Sequence, residues 1–255
     1  MGILYADWPA PEHIVAGVTD RCDGYSKNNF ASNNVALHVE DDPVTVIKNR
    51  QLLRETLIQE HELSSDLQWQ WLNQVHGKTL VDANDKTVQT VPVADASVTA
   101  TENIVCAVMT ADCLPILITD KAGEQVAAIH AGWRSLCFGI IEETIANMRE
   151  KRADAELLVW LGPAIGPTAF EVGADVLQAF EGQNCGDLAA QAFVPQADGK
   201  YLADIYQLAS MRLKALGVNR IYGGGLCTVS DEERFYSYRR DGVTGRMVSF
   251  ILIKQ

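Results

Sequence analysis

The sequence predicts an α+β fold in a single domain over residues 1–255, and three observations carry that expectation. Apolar runs rich in β-branched residues, such as IVCAVMT at 104–110, have the length and composition of buried strands. Other segments repeat their apolar residues near the helical period. The two kinds of element follow neither a regular βαβ alternation nor a pure β meander. A chain of 255 residues suits one large domain or two small ones on a prior of ~150 per domain, and no repeat, low-complexity tract or linker divides it.

Taken in order, residues 14–40 include GVTDRCDGYSKNNFASNN, whose Gly, Asn, Ser and Asp content predicts a largely irregular stretch. Asp42-Pro43 predicts a helix start, with the carboxylate as N-cap and proline at the first helical position. Val46, Ile47, Leu53, Leu57 and Ile58 supply its apolar stripe, with Asn49 and Arg50 between them. Residues 67–76 alternate as a half-buried strand that ends on His76. Residues 82–103 carry turn signals around Asn84-Asp85 and Pro92, followed by ADASVTA, and the three apolar runs within 104–134 come next. A helix is predicted from about Arg134 to Arg149, with Cys137, Ile140, Ile141, Thr144, Ile145 and Met148 facing the core. Leu157–Leu161 is a buried strand leading into the rigid loop Gly162–Pro167. A short helix over 173–180, a polar connector over 181–200, a helix over 202–216 stopped by Gly217, and strands at 220–222 and 247–253 complete the chain.

Charge and composition narrow the partners. The formal net charge of −12 repels nucleic acid and anionic membranes, although clustered arginines can still hold a small anion such as phosphate. Six cysteines without framework spacing point to a reducing compartment. The amino terminus has no basic segment followed by an apolar one, and no run of ~18 apolar residues occurs, so the expected location is the cytoplasm.

The candidate site gathers around 104–134. Cys113 lies in a break between two apolar runs, His130 closes the next run, and His76 follows an upstream strand. Two imidazoles and a thiolate match a zinc site with one open position, the catalytic rather than the structural arrangement. No short ligand motif brings them together, so the fold must. Asp95 suits either the orientation of a ligand imidazole or a plain cap. Asn73 and Gln74 suit either orientation of His76 or turn filling, and Trp133 either stacks on a purine or fills the core. Arg50 is either a solvated helix arginine or a substrate contact. Tyr236, Tyr238, Arg239 and Arg240 suit a surface turn with cation–π contacts as well as they suit a site, Cys106 and Cys137 are explained by burial, and His13 and His61 by exposure.

The segments NQVHG with His76, TADCLPIL with Cys113, AAIHAGWR with His130, WLGPAIGPTAFEVG at 160–173 and FYSYRRDGVTGR at 235–246 resemble the YfiH-like, laccase-domain family. Its members are described both as polyphenol oxidases and as purine nucleoside phosphorylases, and the likeness runs from about Gly17 to Phe250. The resemblance implies two mixed β-sheets sandwiched by helices. It marks Ser32, Asn34, His38 and Asp41 as a local signature and favours Asn49 and Arg50 as substrate or phosphate contacts. It also implies phosphorolysis of adenosine, inosine or methylthioadenosine, and deamination of adenosine. An open zinc site can supply hydroxide near neutral pH, and an arginine such as Arg50 can hold phosphate.

Two other chemistries compete. Copper binds histidine and cysteine, and would make the chain a polyphenol oxidase, but a redox centre needs more ligands than these three. Alternatively Cys113 acts as nucleophile with His130 or His76 as base, cleaving an amide such as one in a cell-wall precursor.

Overall fold

The computed structural model describes residues 1–182 and 190–255. A five-stranded sheet has the order β1 (Ile3–Tyr5), β2 (Ile14–Thr19), β14 (Met247–Ile253), β6 (Ile104–Thr110), β3 (Gln68–Gln70). A six-stranded sheet has the order β13 (Arg220–Gly223), β9 (Leu157–Leu161), β7 (Leu114–Asp120), β8 (Val126–Ala131), β5 (Ala96–Thr99), β4 (Leu80–Asp82). Both are mixed, because β3 runs parallel to β6, β4 to β5 and β13 to β9 while their other neighbours are antiparallel. A small antiparallel sheet, β10 (Glu171–Gly173), β12 (Lys200–Ala203), β11 (Phe193–Pro195), is an addition to the two expected.

Side-chain alternation stacks the layers. Ile104, Cys106 and Val108 of β6 meet Leu117 of β7 and Val126 and Ala128 of β8 between the two large sheets. The intervening residues Val105, Ala107 and Met109 face away, against Leu53 and Leu57 of helix α1 (Pro43–His61). On the far side of the second sheet, Ile116, Ile118, Ala127 and Ile129 pack on the helices α2 (Trp133–Phe138), α3 (Ile140–Lys151) and α5 (Ile205–Ala215); α4 (Ala174–Glu181) joins that core through Val176 and Phe180. The order helix, sheet, sheet, helix follows from strands whose two faces are both apolar and therefore both need cover. Among the described residues no helix is long and apolar enough to cross a membrane.

Several boundaries differ from expectation. Residues 14–19 form a fully buried strand ahead of the irregular stretch. The anticipated 134–149 helix is two helices, broken at Gly139, whose φ of +92° a residue with a side chain rarely adopts; its six predicted core residues are all buried. The α1 stripe omits Ile47, which is 55% exposed, and includes Asn49 instead. Strand β5 lies in the stretch expected to carry turns, which β4 enters only at Asp82. β11 lies in the anticipated connector, while β12 starts at its last residue and takes the first two of the anticipated 202–216 helix, which begins at Ile205. Residues 183–189 of the connector, with Cys185, fall outside the described residues.

Candidate metal centre and cavity

The second sheet assembles the site. In its register Pro115 faces His130 and Leu114 faces Ala131, so Cys113, one residue before β7, comes beside the end of β8. Asp95, just before β5, adjoins the same end, and His130 N–H donates to its carbonyl at 2.7 Å.

His76 arrives differently from the expectation. β3 stops at Gln70, and 71–77 is a loop bridged to the neighbouring segment at Asn73 and Val93. Gln74 pins this loop to β6, donating through Nε2 to the Met109 carbonyl and accepting from Met109 N–H, both at 2.8 Å. His76 itself is left-handed, with φ +59°. That conformation is uncommon without glycine, and here Asp95 supports it: its carboxylate accepts from the N–H groups of Val75 (3.3 Å), His76 (2.9 Å) and Gly77 (2.7 Å). The same carboxylate bonds Nδ1 of His130 at 2.8 Å, leaving Nε2 as the ring's other donor position. Asp95 is wholly buried, and although burial raises its pKa, the bonds from His130 and the backbone N–H groups outweigh that and hold it below the usual carboxylate range. The two readings of Asp95, imidazole orientation and backbone capping, are thus both realised.

The three predicted donors come together. One ligand atom from each of His76, Cys113 and His130 lies within 4.8 Å of the others. Cys113 Sγ and His76 Nε2 are 3.7 Å apart, against the roughly 3.6 Å expected for sulfur and nitrogen on a tetrahedral zinc with bonds of about 2.3 and 2.0–2.1 Å. Gly132 leaves the necessary room, since a Cβ there would lie 2.7 Å from His76 Cδ2 and 3.1 Å from Cys113 Sγ. Burial would raise the Cys113 thiol, but His130 and His76 overcome it and bring the thiol down; burial would lower His130, but Cys113 and Asp95 bring it up. Without a metal the site is therefore a thiolate–imidazolium pair at neutral pH, a donor set already biased to the form a soft divalent cation takes.

Asp112 fixes the turn that carries Cys113. It adopts φ +97°, and its carboxylate accepts from Thr228 Oγ1 and from the N–H of Arg239, both at 2.6 Å. Arg239 belongs to the one-turn helix α6 (Tyr238–Asp241), so the cysteine turn and that segment are joined.

The triad lines a cavity of about 500 Å³. Trp133, Phe170, Tyr238, Ile165 and Ile205 give the lining planar and aliphatic surface. Three guanidinium groups share it: Arg134, which lies over the Trp133 ring at 4.4 Å; Arg239, which donates to the carbonyls of Ala169 and Glu171 at 3.2 and 3.0 Å; and Arg246, which donates to those of Thr244 and Gly245 at 2.8 and 2.9 Å. Among the described residues none of the three has a carboxylate within salt-bridge distance, unlike Arg212, which reaches Glu142 at 2.6 Å. Burial pushes the Arg246 guanidinium below the usual arginine range, partly offset by Cys113, Asp112 and Tyr238. Arg246 is half-buried while Arg134 and Arg239 are exposed, so the three place positive charge at the cavity of a chain whose net charge is −12.

Asn49 and Arg50, expected as substrate contacts, lie outside the residues that line this cavity. Asn49 is completely buried, accepting from Tyr25 N–H at 2.8 Å and donating to the Asn34 carbonyl at 2.7 Å. Arg50 stacks 3.7 Å over Trp71 and donates to the Val35 carbonyl at 2.7 Å. Both brace the signature loop, where Asn34 also donates to Asp41 at 2.9 Å. That loop sends His38 into the cavity lining. Trp133 lines the cavity and also packs against the helix-side core, and Tyr238 and Arg239 line the cavity from an exposed turn with cation–π contacts, Arg239 over Phe170 at 5.8 Å and Arg246 over Tyr238 at 5.9 Å. Arg246, at the end of the FYSYRRDGVTGR motif, was overlooked because a lone arginine before a strand carries no periodic signal. His13 bonds the Gly123 carbonyl at 3.1 Å and His61 packs edge-on against Tyr5, both away from the cavity lining.

Comparisons with known proteins agree with this architecture. Residues 15–254 match the model of a family described as multi-copper polyphenol oxidoreductase laccase. A purine nucleoside phosphorylase of Pseudomonas aeruginosa is 48% identical over 252 residues, covering 98% of each chain. The Escherichia coli purine nucleoside phosphorylase YfiH is 45% identical over 249 residues, again covering 98% of each. The crystal structure of a Neisseria meningitidis protein of the DUF152 family superposes with a TM-score of 0.91 at 44% identity over the whole of both chains, and that of YlmD from Geobacillus stearothermophilus with 0.89 at 29% identity over 100% and 97%. With the family model spanning nearly the whole chain and the relatives matching end to end, the chain belongs to the YfiH-like, polyphenol oxidoreductase laccase family.

Proposed function

We propose that this chain is a metal-dependent purine nucleoside phosphorylase of the cytoplasm, its single domain over 1–255 acting on adenosine, inosine and methylthioadenosine and deaminating adenosine as a side activity. The observation that carries the reading is one cavity of about 500 Å³ lined by the His76, Cys113 and His130 triad, three arginines without carboxylate partners, and aromatic rings. The names of the relatives supply the substrate class.

His76, Cys113 and His130 would hold zinc, and a zinc ion bound there supplies Lewis acidity with one position left for a ligand. Arg134, Arg239 and Arg246 neutralise phosphate, a dianion that one guanidinium alone does not balance. The faces of Trp133, Phe170 and Tyr238 receive the purine, and the apolar remainder excludes water that would otherwise compete with phosphate at the ribose anomeric carbon.

A multi-copper centre has less support: the chain has five histidines, and His13 and His61 are engaged away from the triad. Hydrolysis by Cys113 is favoured by one observation, its thiolate flanked by two imidazoles.

The protein, stripped of metal and given adenosine with phosphate, is expected to be inactive and to recover on adding zinc, releasing adenine. Inosine as the product would make deamination the main activity. Recovery with copper alone would favour the oxidoreductase reading, and activity that survives complete metal removal would favour the thiol hydrolase.

A further inference from the structure

We propose that His38 is the catalytic residue that moves the proton in this cavity, an inference that rests on the phosphorylase reading. Phosphorolysis needs such a group. A phosphate oxygen bonds to the ribose anomeric carbon, the bond from that carbon to the purine breaks, and its electron pair stays on the base. The departing purine must gain a proton, and hydrogenphosphate must lose one.

The other ionisable groups of the lining have other duties. His76, Cys113 and His130 form the metal-binding triad, and a metal-bound imidazole or thiolate is a poor base. Asp112 is committed to Thr228 and Arg239. Arginines keep their protons. Tyr238 offers a phenol, less suited than imidazole to exchanging protons near neutral pH.

His38 lines the same cavity, stands outside the triad, and has no hydrogen bond to its ring among the described residues. His38 is exposed to the cavity, and partial burial, then Arg246, Arg50 and His130, hold its pKa below the usual imidazole range; a neutral imidazole carries a proton on one nitrogen and accepts at the other.

Its position is built, not incidental. Asn34 Oδ1 accepts from Ala36 N–H and from Arg246 N–H, both at 3.0 Å, so the loop bearing His38 is tied to the strand approach bearing Arg246. Asn49 and Arg50 brace the same loop from α1. An uncommitted imidazole and a guanidinium without a carboxylate partner among the described residues are thereby held in one cavity lining, the combination a hydrogenphosphate ion requires if it is to be neutralised and deprotonated at once. In the step, the ring releases its proton to the purine nitrogen and takes the one that hydrogenphosphate gives up, so the imidazole is regenerated and charge balances.

The test compares wild type, His38→Ala and His38→Gln for adenine release from adenosine and phosphate, with zinc content and thermal midpoint measured on the same samples. Both variants are expected to retain zinc and folding, to lose kcat by about 100-fold or more, and to keep KM for phosphate near wild type; added imidazole should restore part of the rate to His38→Ala but not to His38→Gln. Wild-type kcat in either variant, or loss of zinc as the sole cause of inactivity, overturns the proposal while leaving the phosphorylase reading intact. A zinc-loaded wild type that releases no adenine overturns both.

Discussion

The histidines of the triad and the turn carrying its cysteine are tied to buried carboxylates, whereas the arginines in the same cavity lining are tied, among the described residues, to backbone carbonyls or laid over a ring. Asp95 holds His130 and the His76 backbone together, and Asp112 holds the Cys113 turn to Arg239. Arg239 and Arg246 donate to carbonyls, and Arg134 lies over Trp133. The difference separates two physical tasks. Metal donors must be placed before the ion arrives, because misplacement by a fraction of an ångström weakens every bond at once. Charge meant for a mobile anion must instead be left without an internal partner, since a salt bridge would cancel it.

The comparison breaks most visibly at Asp95. In Asp95→Ala, three backbone N–H groups and His130 Nδ1 lose their acceptor. Under the zinc reading, affinity should fall about 10- to 100-fold in competition with a chelator. Unchanged affinity would mean that the triad is placed without its carboxylate.

Arg246→Ala probes the other group. Losing one charge-assisted hydrogen bond of about 1.5–3 kcal/mol should raise KM for phosphate roughly 10- to 100-fold while zinc content stays at the wild-type level. A fall in zinc content with no change in phosphate dependence would erase the division of labour.

The carboxylate-tied group should also answer to pH in a way the arginines do not. His130 is raised and Cys113 lowered, so at neutral pH the metal-free site carries its proton on His130. Zinc must expel that proton, and rising pH removes the competitor: affinity should increase by about tenfold per pH unit around neutrality, with one proton released per ion bound. Calorimetry in buffers of different ionisation enthalpy counts the proton; a count of zero would remove the ion pair from the metal-free state.

Much of this was legible in the sequence, and unevenly so. The buried strands announced themselves through runs such as LPILITD, and Cys113 and His130 stood out at their ends. Asp42 and Pro43 predicted the α1 cap, which the structure contains, with Asp42 accepting from Val44 and Thr45. Strands β4 and β5 were hidden because short strands among turn residues carry no periodic signal. The left-handed His76 loop was hidden as well, because the carboxylate that supports it lies nineteen residues downstream and pairs with it only through the fold. Asn49 and Arg50 were singled out by resemblance as substrate or phosphate contacts, and in the structure both brace the loop behind the cavity. A residue can be indispensable to a cavity by holding the loop behind it.

That distinction gives the smallest expected effect. Burial brings the Arg50 guanidinium down to about 10, so it stays charged at neutral pH, stacked 3.7 Å over Trp71 and bonded to the Val35 carbonyl. Arg50→Ala removes both contacts and should cost about 1–3 kcal/mol of stability, read from the urea midpoint, with zinc content intact. KM for phosphate should move far less than in Arg246→Ala, because Arg50 is absent from the cavity lining. A large rise in that KM with full stability would return Arg50 to the substrate, and would place part of the anion-binding charge on α1 rather than wholly on the Arg134, Arg239 and Arg246 group.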